Sequence, residues 1–365
     1  MNASRINSFQ LFSLIVIFEL GSALLIEVGK ESGKNNWIVL LLGTGIGCVL
    51  YLIYTSLYQY YPHLIFTSLL QKILGKFIGW PIGVIYCLYF MYLAARVLRD
   101  FSFLLITTAY ENTSMKLIAF LMIISVMYIA ATGLQAFSRL STLGLIIVSL
   151  IIVVFLTLEM LNKLPDSENL LPILGDGWKP ILQTLFPTVI TIPFGEMITF
   201  NMLLPFLSKS NQARKIGLSA ILISGFYLSF SAAWHIAILG EDTVINNTFP
   251  ILTSVSLINL ANFITRLEPF IVMFLVIFGL FKILIFFYCS VIGFADLLKI
   301  KNPNRLIIPI GLITYVLSKY IASNSVEHLY IGLKLVPYYI HIPLQIILPF
   351  ILLITSFVRN KITYG

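Results

Sequence analysis

The chain has 365 residues, 59% of them hydrophobic and only 10% charged, where a soluble domain carries about 25% charged residues. With a mean hydropathy of +0.98, its polar side chains are too few to cover a soluble surface, so lipid must be the solvent for most of the molecule. The net charge of +8 is spread over short loops, which reads as membrane topology and contact with anionic lipid, not as nucleic acid binding.

Ten apolar runs follow one another, each long enough to cross a bilayer as a tilted helix. They cover about 8–28, 37–60, 80–106, 115–132, 139–161, 181–206, 216–239, 265–294, 305–322 and 336–358. The first contains Glu19 and no clear small-x-small cleavage site, so it reads as a span and not as a signal peptide. Between the second and third runs, residues 66–80 place apolar side chains at helical spacing around Lys72 and Lys76, the pattern of a short interfacial helix. With the N-terminus in the cytoplasm, twelve loop Lys and Arg residues fall inside and eight outside, a bias that favours cytoplasmic N- and C-termini. The loop at 240–262 is polar, with several Asn and Thr. The expected fold class is therefore an all-α polytopic membrane protein with ten transmembrane helices, one integral membrane domain over 1–365.

Two spans are interrupted. The sixth, LFPTVITIPFGEMITFNMLLPFL at 185–207, carries Pro193, Gly195 and Glu196 in its middle. Proline removes a backbone donor and clashes with the preceding turn, glycine weakens the helix further, and a carboxylate is costly in hydrocarbon without a cavity or a partner. The first span reads FELGSALLIEVG, with Gly21 at mid-depth and Glu19 beside it. Broken helices in corresponding positions, five spans apart, predict an inverted five-plus-five repeat (about 8–161 and 181–358) with a site between the halves. At such breaks free N–H groups favour an anion and free C=O groups a cation, and a zwitterionic amino acid needs both. The plainer alternatives are a proline-kinked structural helix with a buried protonated Glu196, and a Gly21 that only permits close packing.

Lys282 lies in IVMFLVIFGLFKILIFFYCSVIG, with more than ten apolar neighbours on either side, too deep to snorkel. It requires an acid, a cavity or a helix C-terminus. Glu196 is the expected partner and Glu19 the second choice; a structural lock between two spans is the alternative. In the third span Tyr89, Tyr92, Arg96 and Arg99 share one helical face, and Arg96 and Asp100 stand four apart and can pair. Interfacial anchoring is the plain reading for Tyr86 and Tyr92. Arg266 and Glu268 read as a local cap or ion pair, and His235, beside Trp234, as a structural histidine. Cys48, Cys87 and Cys289 sit in apolar runs as small core residues. The scattered histidines have no metal-ligand spacing, and there is no phosphate-binding glycine loop, nucleotide fingerprint or nucleophile elbow. No cofactor, metal or catalytic residue is assigned, and the chain is not read as an enzyme.

Several stretches together resemble the B subunit of bacterial endospore germinant receptors, the spore germination permease family of the amino acid–polyamine–organocation superfamily. They are NSFQLFSLIVIFELGSALL at 7–25, GKFIG at 75–79 before the tyrosine-bearing span, LLPILGDGWKPIL at 170–182, PFGE at 193–196 and RLEPF at 266–270. The resemblance implies a leucine-transporter-like fold, residence in the inner spore membrane, and assembly with a larger membrane A subunit and a lipoprotein C subunit. It implies that the chain binds a small germinant, often an amino acid. By position, Gly21 matches the glycine at the first-span break and Tyr89 a third-span tyrosine near the ligand. Lys282 and Phe286 stand where relatives can carry a threonine and a tyrosine. The first break also departs from the family's Gly-x-Gly with a later proline: this chain reads Gly21-Ser22-Ala23, with Val28 near the proline position.

The expected ligand-binding set is therefore Gly21, Ser22, Tyr89, Phe194, Gly195, Glu196, Lys282 and Phe286. The leading expectation is a germinant-sensing subunit. The alternatives are a proton-coupled amino acid transporter and a conducting subunit that binds no ligand.

Overall fold

The computed structural model describes residues 5–259 and 266–364, with side chains as far as Arg359. The end of the 240–262 loop, the first residue of the eighth expected span and the Lys361 side chain lie outside the described residues.

The chain begins with α1 (Ser8–Ile26), whose start is fixed by the NSFQ sequence itself. The Asn7 side chain accepts from the Gln10 backbone N–H at 2.8 Å, and the Gln10 side chain accepts from the Asn7 N–H at 2.9 Å, a reciprocal capping box. Then come α2 (Asn36–Tyr60), the short α3 (Phe66–Leu74) and the long α4 (Lys76–Thr108). The interfacial helix expected over 66–80 is thus shorter, and residues 76–80 open the third span instead. Gly75 makes that turn at φ +81°, and a Cβ on Gly79 would come within 2.5 Å of the α3 backbone. These two glycines set the close α3–α4 approach.

The apolar α5 (Met115–Ala131) and α6 (Leu134–Leu161) follow. The sixth span starts as α7 (Trp178–Thr184), passes through a π-helical turn at Leu185–Val189, and continues as a 3₁₀ stretch over Phe194–Met202. Next are α8 (Ala213–Leu239), the short α9 (Glu241–Asn246) and α10 (Pro250–Ser256), and the long α11 (Glu268–Leu297). Glu268 takes the first turn of α11, the end favoured for an acid, and makes no ion pair with Arg266. The chain then forms α12 (Ile307–Tyr320) and α13 (Ser325–Tyr330), and ends through a π-helical stretch at Pro337–Ile347 in α14 (Leu348–Tyr364).

No strand is present among the described residues beyond one isolated bridge between Ile6 and Leu207. Eight of these helical segments are long and apolar enough to cross a membrane. The ninth expected span corresponds to Pro303–Tyr320, which is followed by Ser325–Leu335 at a bend of 110°, and the pair counts as a ninth crossing if taken as one span. The fourth, α5, is a shorter apolar helix. The protein is polytopic and all-helical.

Burial identifies the centre. In the span window of α1, 83% of residues lie inside the protein, against 17% for α6. So α1 is the axial helix, packed by α6, α8 and α11, while α6 faces lipid. The α4–α11 contact is the most extensive between helices. The N-terminal strand-like segment ties the two interrupted spans at one end: the Ile6 N–H donates to Phe206 O at 3.0 Å, and the Ser208 N–H donates to Ile6 O at 2.9 Å.

Candidate functional site

The helix of α1 is broken at Gly21, whose backbone (φ −22°, ψ −105°) is not helical. The Lys282 side chain of α11 fills the space that the missing Cβ leaves: a Cβ on Gly21 would sit 2.7 Å from Lys282 Cδ. The ammonium then reaches across to Glu196 in the 3₁₀ stretch, with Nζ 2.7 Å from Oε2. Both groups are buried. The pairing expected from depth alone is therefore formed. The distance is that of a charge-assisted contact between ammonium and carboxylate.

Glu19 is fully buried two residues before the break, and neither of its oxygens has a hydrogen-bond partner. The charges that act on it are Lys282 and Glu196. The centre thus holds two buried carboxylates against one buried ammonium. A buried charge without compensation is costly, so a proton or a further cation completes it. The aromatic wall is Phe18, whose ring lies 5.0 Å from Lys282 Nζ, a cation–π distance. Phe18 is in turn edge-on to Phe286 at 4.9 Å and to Phe200 at 5.2 Å. Phe286 joins the centre through that stack.

Tyr89 and Gly195 meet through a residue that the sequence reasoning missed. Gln345 Nε2 donates to Tyr89 Oη at 2.8 Å, and its Oε1, without a donor of its own, lies where a Cβ on Gly195 would stand, 2.1 Å away. Tyr54 Oη donates to Gln345 O at 2.6 Å and to Gly195 O at 3.2 Å. His341, one turn before Gln345, is buried with both ring nitrogens unpartnered and stands edge-on to Tyr89 at 5.7 Å. The signal was present in the sequence: His341 and Gln345 are polar, stand four apart in the last apolar run and so share one helical face.

Ser22, Arg96, Glu196 and His341 line one small cavity of about 40 Å³ on the far side of the ion pair. That is room for a few waters at most, far below the 300–1,000 Å³ of ordinary ligand pockets. An amino acid exceeds it, so admission requires the walls to move.

The expected Arg96–Asp100 pair is not formed. His328 of α13 takes both partners instead: its Nε2 lies 2.8 Å from Asp100 Oδ1, and Arg96 Nη2 donates to its carbonyl at 2.7 Å. Arg99 Nη1 donates to the Ser318 and Lys319 carbonyls at 3.1 Å. The reason is tertiary: the bend after α12 presents free carbonyls and a histidine to α4, and these satisfy the arginines better than a neighbour on the same helix. His235 also has a partner, Glu27 Oε2 at 2.8 Å.

Phe194 is not part of this centre. Its side chain packs on α2, where Cβ atoms on Gly43 and Gly47 would approach it to 3.0 and 2.7 Å. Of the eight expected residues, the structure draws Gly21, Glu196, Lys282 and Phe286 into one cluster. Ser22 joins at the cavity, Tyr89 and Gly195 join through Gln345, and Phe194 points away.

A family profile described as "Spore germination protein" matches residues 5–326. The chain belongs to this family. It is 38% identical to "Spore germination protein KB" of Bacillus subtilis (strain 168) over 362 residues, 99% of this chain and 97% of that protein. It is 26% identical to "Spore germination protein A2" of the same organism, over 92% of this chain and 94% of that one. It is 24% identical to "Spore germination protein YndE", over 89% and 92%. As a member of this family the chain is a polytopic membrane protein, and the break at Gly21 and the Glu196–Lys282 pair lie at the centre of its fold.

Proposed function

We propose that this chain is the small-molecule-sensing membrane subunit of a spore germinant receptor, with the germinant seated at the breaks of α1 and the sixth span. The observation that carries the reading is the buried Lys282–Glu196 pair, set against the Gly21 break with Glu19 as a spare acid. A pair of opposite charges at two interrupted helices offers an ammonium site and a carboxylate site at once. A zwitterionic amino acid answers both, its carboxylate competing for Lys282 and its ammonium for the two glutamates. Ser22, Tyr89, Gly195 and Phe286 form the rest of the site, with Phe194 as support behind it.

In the finer form of this reading, the chain has ten spans in two inverted halves, about 8–161 and 181–358. It resides in the inner membrane of the spore with both termini cytoplasmic, alongside an A subunit and a lipoprotein C subunit. Ligand shifts the population between two arrangements by its differential affinity for them. The small volume of the cavity supports this, because binding and rearrangement are then one event. The excess of buried acid over base also favours one second reading, a proton-coupled amino acid transporter.

The test is a germination dose–response panel. Spores would carry this chain with its own partner subunits as their only receptor, against single amino acids, sugars and nucleosides. A response to one compound, moved to higher concentration by Glu196→Gln, is expected. An unchanged dose–response in that variant would remove the site assignment. Accumulation of labelled amino acid in vesicles holding this chain alone, with no germination response, would replace the receptor reading by the transporter.

A further inference from the structure

A second pocket stands apart from the Lys282–Glu196 centre, between α6, α8, α10 and α11. Its polar group is Glu159 of α6, which is 96% buried. One carboxylate oxygen accepts from Trp234 Nε1 at 2.7 Å. Among the described residues no Lys, Arg or His nitrogen lies within 4 Å of it. Five aromatic residues, Phe155, Tyr227, Phe230, Trp234 and Phe274, stand in its walls, and aliphatic side chains of α6, α10 and α11 complete them. The cavity they leave is about 40 Å³, the space of one or two water-sized groups.

A single neutral N–H does not neutralise a buried carboxylate, and His235, in the same lining, is already taken up by Glu27 at 2.8 Å, so the site calls for a further cation. The walls decide which kind. A hard metal ion needs about six or more oxygen ligands, and this pocket supplies one carboxylate and a few hydroxyls. An acid among apolar and aromatic side chains instead suits an organic ammonium, held by charge from the carboxylate and by cation–π attraction to a neighbouring ring. The depth agrees. Glu159 is two residues from the end of α6 and Trp234 five from the end of α8, at the level where aromatic residues meet lipid headgroups. The outer wall reaches the surface at Phe230, which is 37% exposed.

We propose that this pocket is a binding site for a primary ammonium group, presented by an aminophospholipid headgroup or by a soluble amine. The site stands whether or not the germinant binds at Gly21. It is nevertheless placed to influence α1, because His235, also in its lining, holds Glu27 at the C-cap of that helix.

The test uses the full chain in lipid nanodiscs with Trp37, Trp80 and Trp178 replaced by phenylalanine, so that Trp234 alone reports. In phosphatidylglycerol discs, ethanolamine should shift Trp234 emission saturably, and Glu159→Gln should weaken the apparent affinity about tenfold, the effect of one lost charge partner. Glutamine keeps an acceptor for the indole, so the fold has no reason to change. If discs containing phosphatidylethanolamine already show the shifted emission and added ethanolamine changes nothing, the lipid is the source. If only free ethanolamine acts, the source is a soluble amine. Native mass spectrometry in mixed lipid supplies an independent readout: retained phosphatidylethanolamine should fall in Glu159→Gln. The proposal is overturned if neither probe gives a saturable shift, if Glu159→Gln responds like the parent, or if potassium chloride alone reproduces the effect.

Discussion

Lys282→Met is the perturbation that most directly probes the centre. The substitution keeps most of the side-chain length beside Gly21 and removes the ammonium, leaving Glu196 and Glu19 buried without their cation. Removing one partner of a buried pair costs about 3–5 kcal/mol, because the other charge is left uncompensated. Glu196→Gln in the same background removes one of those charges, so the double variant should lose less than the sum of the singles, by about 1–3 kcal/mol. Adding Glu19→Gln should relieve the lysine variant further, since the two acids share one cation. The assay is the midpoint of thermal inactivation of the full chain in nanodiscs, compared across the cycle, together with its abundance in spore membranes. Relative midpoints are the appropriate measure because unfolding of such a protein need not be reversible. Additivity to within about 0.5 kcal/mol would refute the argument: the two side chains would then be neighbours without being partners.

Gly21→Ala should act through the same lysine. The new methyl would meet Lys282 Cδ at 2.7 Å, so we expect a loss of about 1–3 kcal/mol from overpacking and a weakened germinant response, read by thermal midpoint and dose–response. Tyr89→Phe should leave Gln345 Nε2 without its acceptor, costing about 1–3 kcal/mol, and Gly195→Ala should give a like loss by displacing the same amide; a Gln345→Ala background should abolish both effects. Phe194→Ala should cost about 3–5 kcal/mol by emptying the slot against Gly43 and Gly47, yet leave the germinant concentration for half response unchanged in whatever protein survives. Asp100→Asn weakens the bond to His328 and should expose the 325–335 bend to protease sooner than in the parent, while His328→Ala, which retains the carbonyl bonded by Arg96, should behave alike.

Much of the centre could be read from residue type and depth. A lysine more than ten apolar residues from either end of a span has few physical solutions, and Glu196 was the expected one. Asn7 and Gln10 declare a helix start through their own side chains. Other features could not be read so. The spacing of Arg96 and Asp100 permits a pair, but whether it forms depends on what the bent 325–335 segment brings alongside. Phe194 stands next to Gly195 and Glu196 in sequence, yet a 3₁₀ stretch turns about 120° per residue, so the three side chains leave in different directions. Gln345 and His341 enter the centre from the opposite end of the chain, and only their shared helical face hinted at it.

The sequence by itself determined the solvent, the all-helical class and the two places where helices fail, because these follow from local composition: hydrocarbon excludes unpaired backbone, and proline, glycine and buried charge interrupt a helix wherever they occur. What the tertiary structure decided is which groups meet. The Gly21 gap is filled by Lys282 from 261 positions away in the sequence, Tyr89 is oriented by Gln345, and Glu159 is left with an indole in a pocket of aromatic and aliphatic side chains. Such contacts depend on how separate helices pack, and packing is a property of the assembled chain that no stretch of it carries alone.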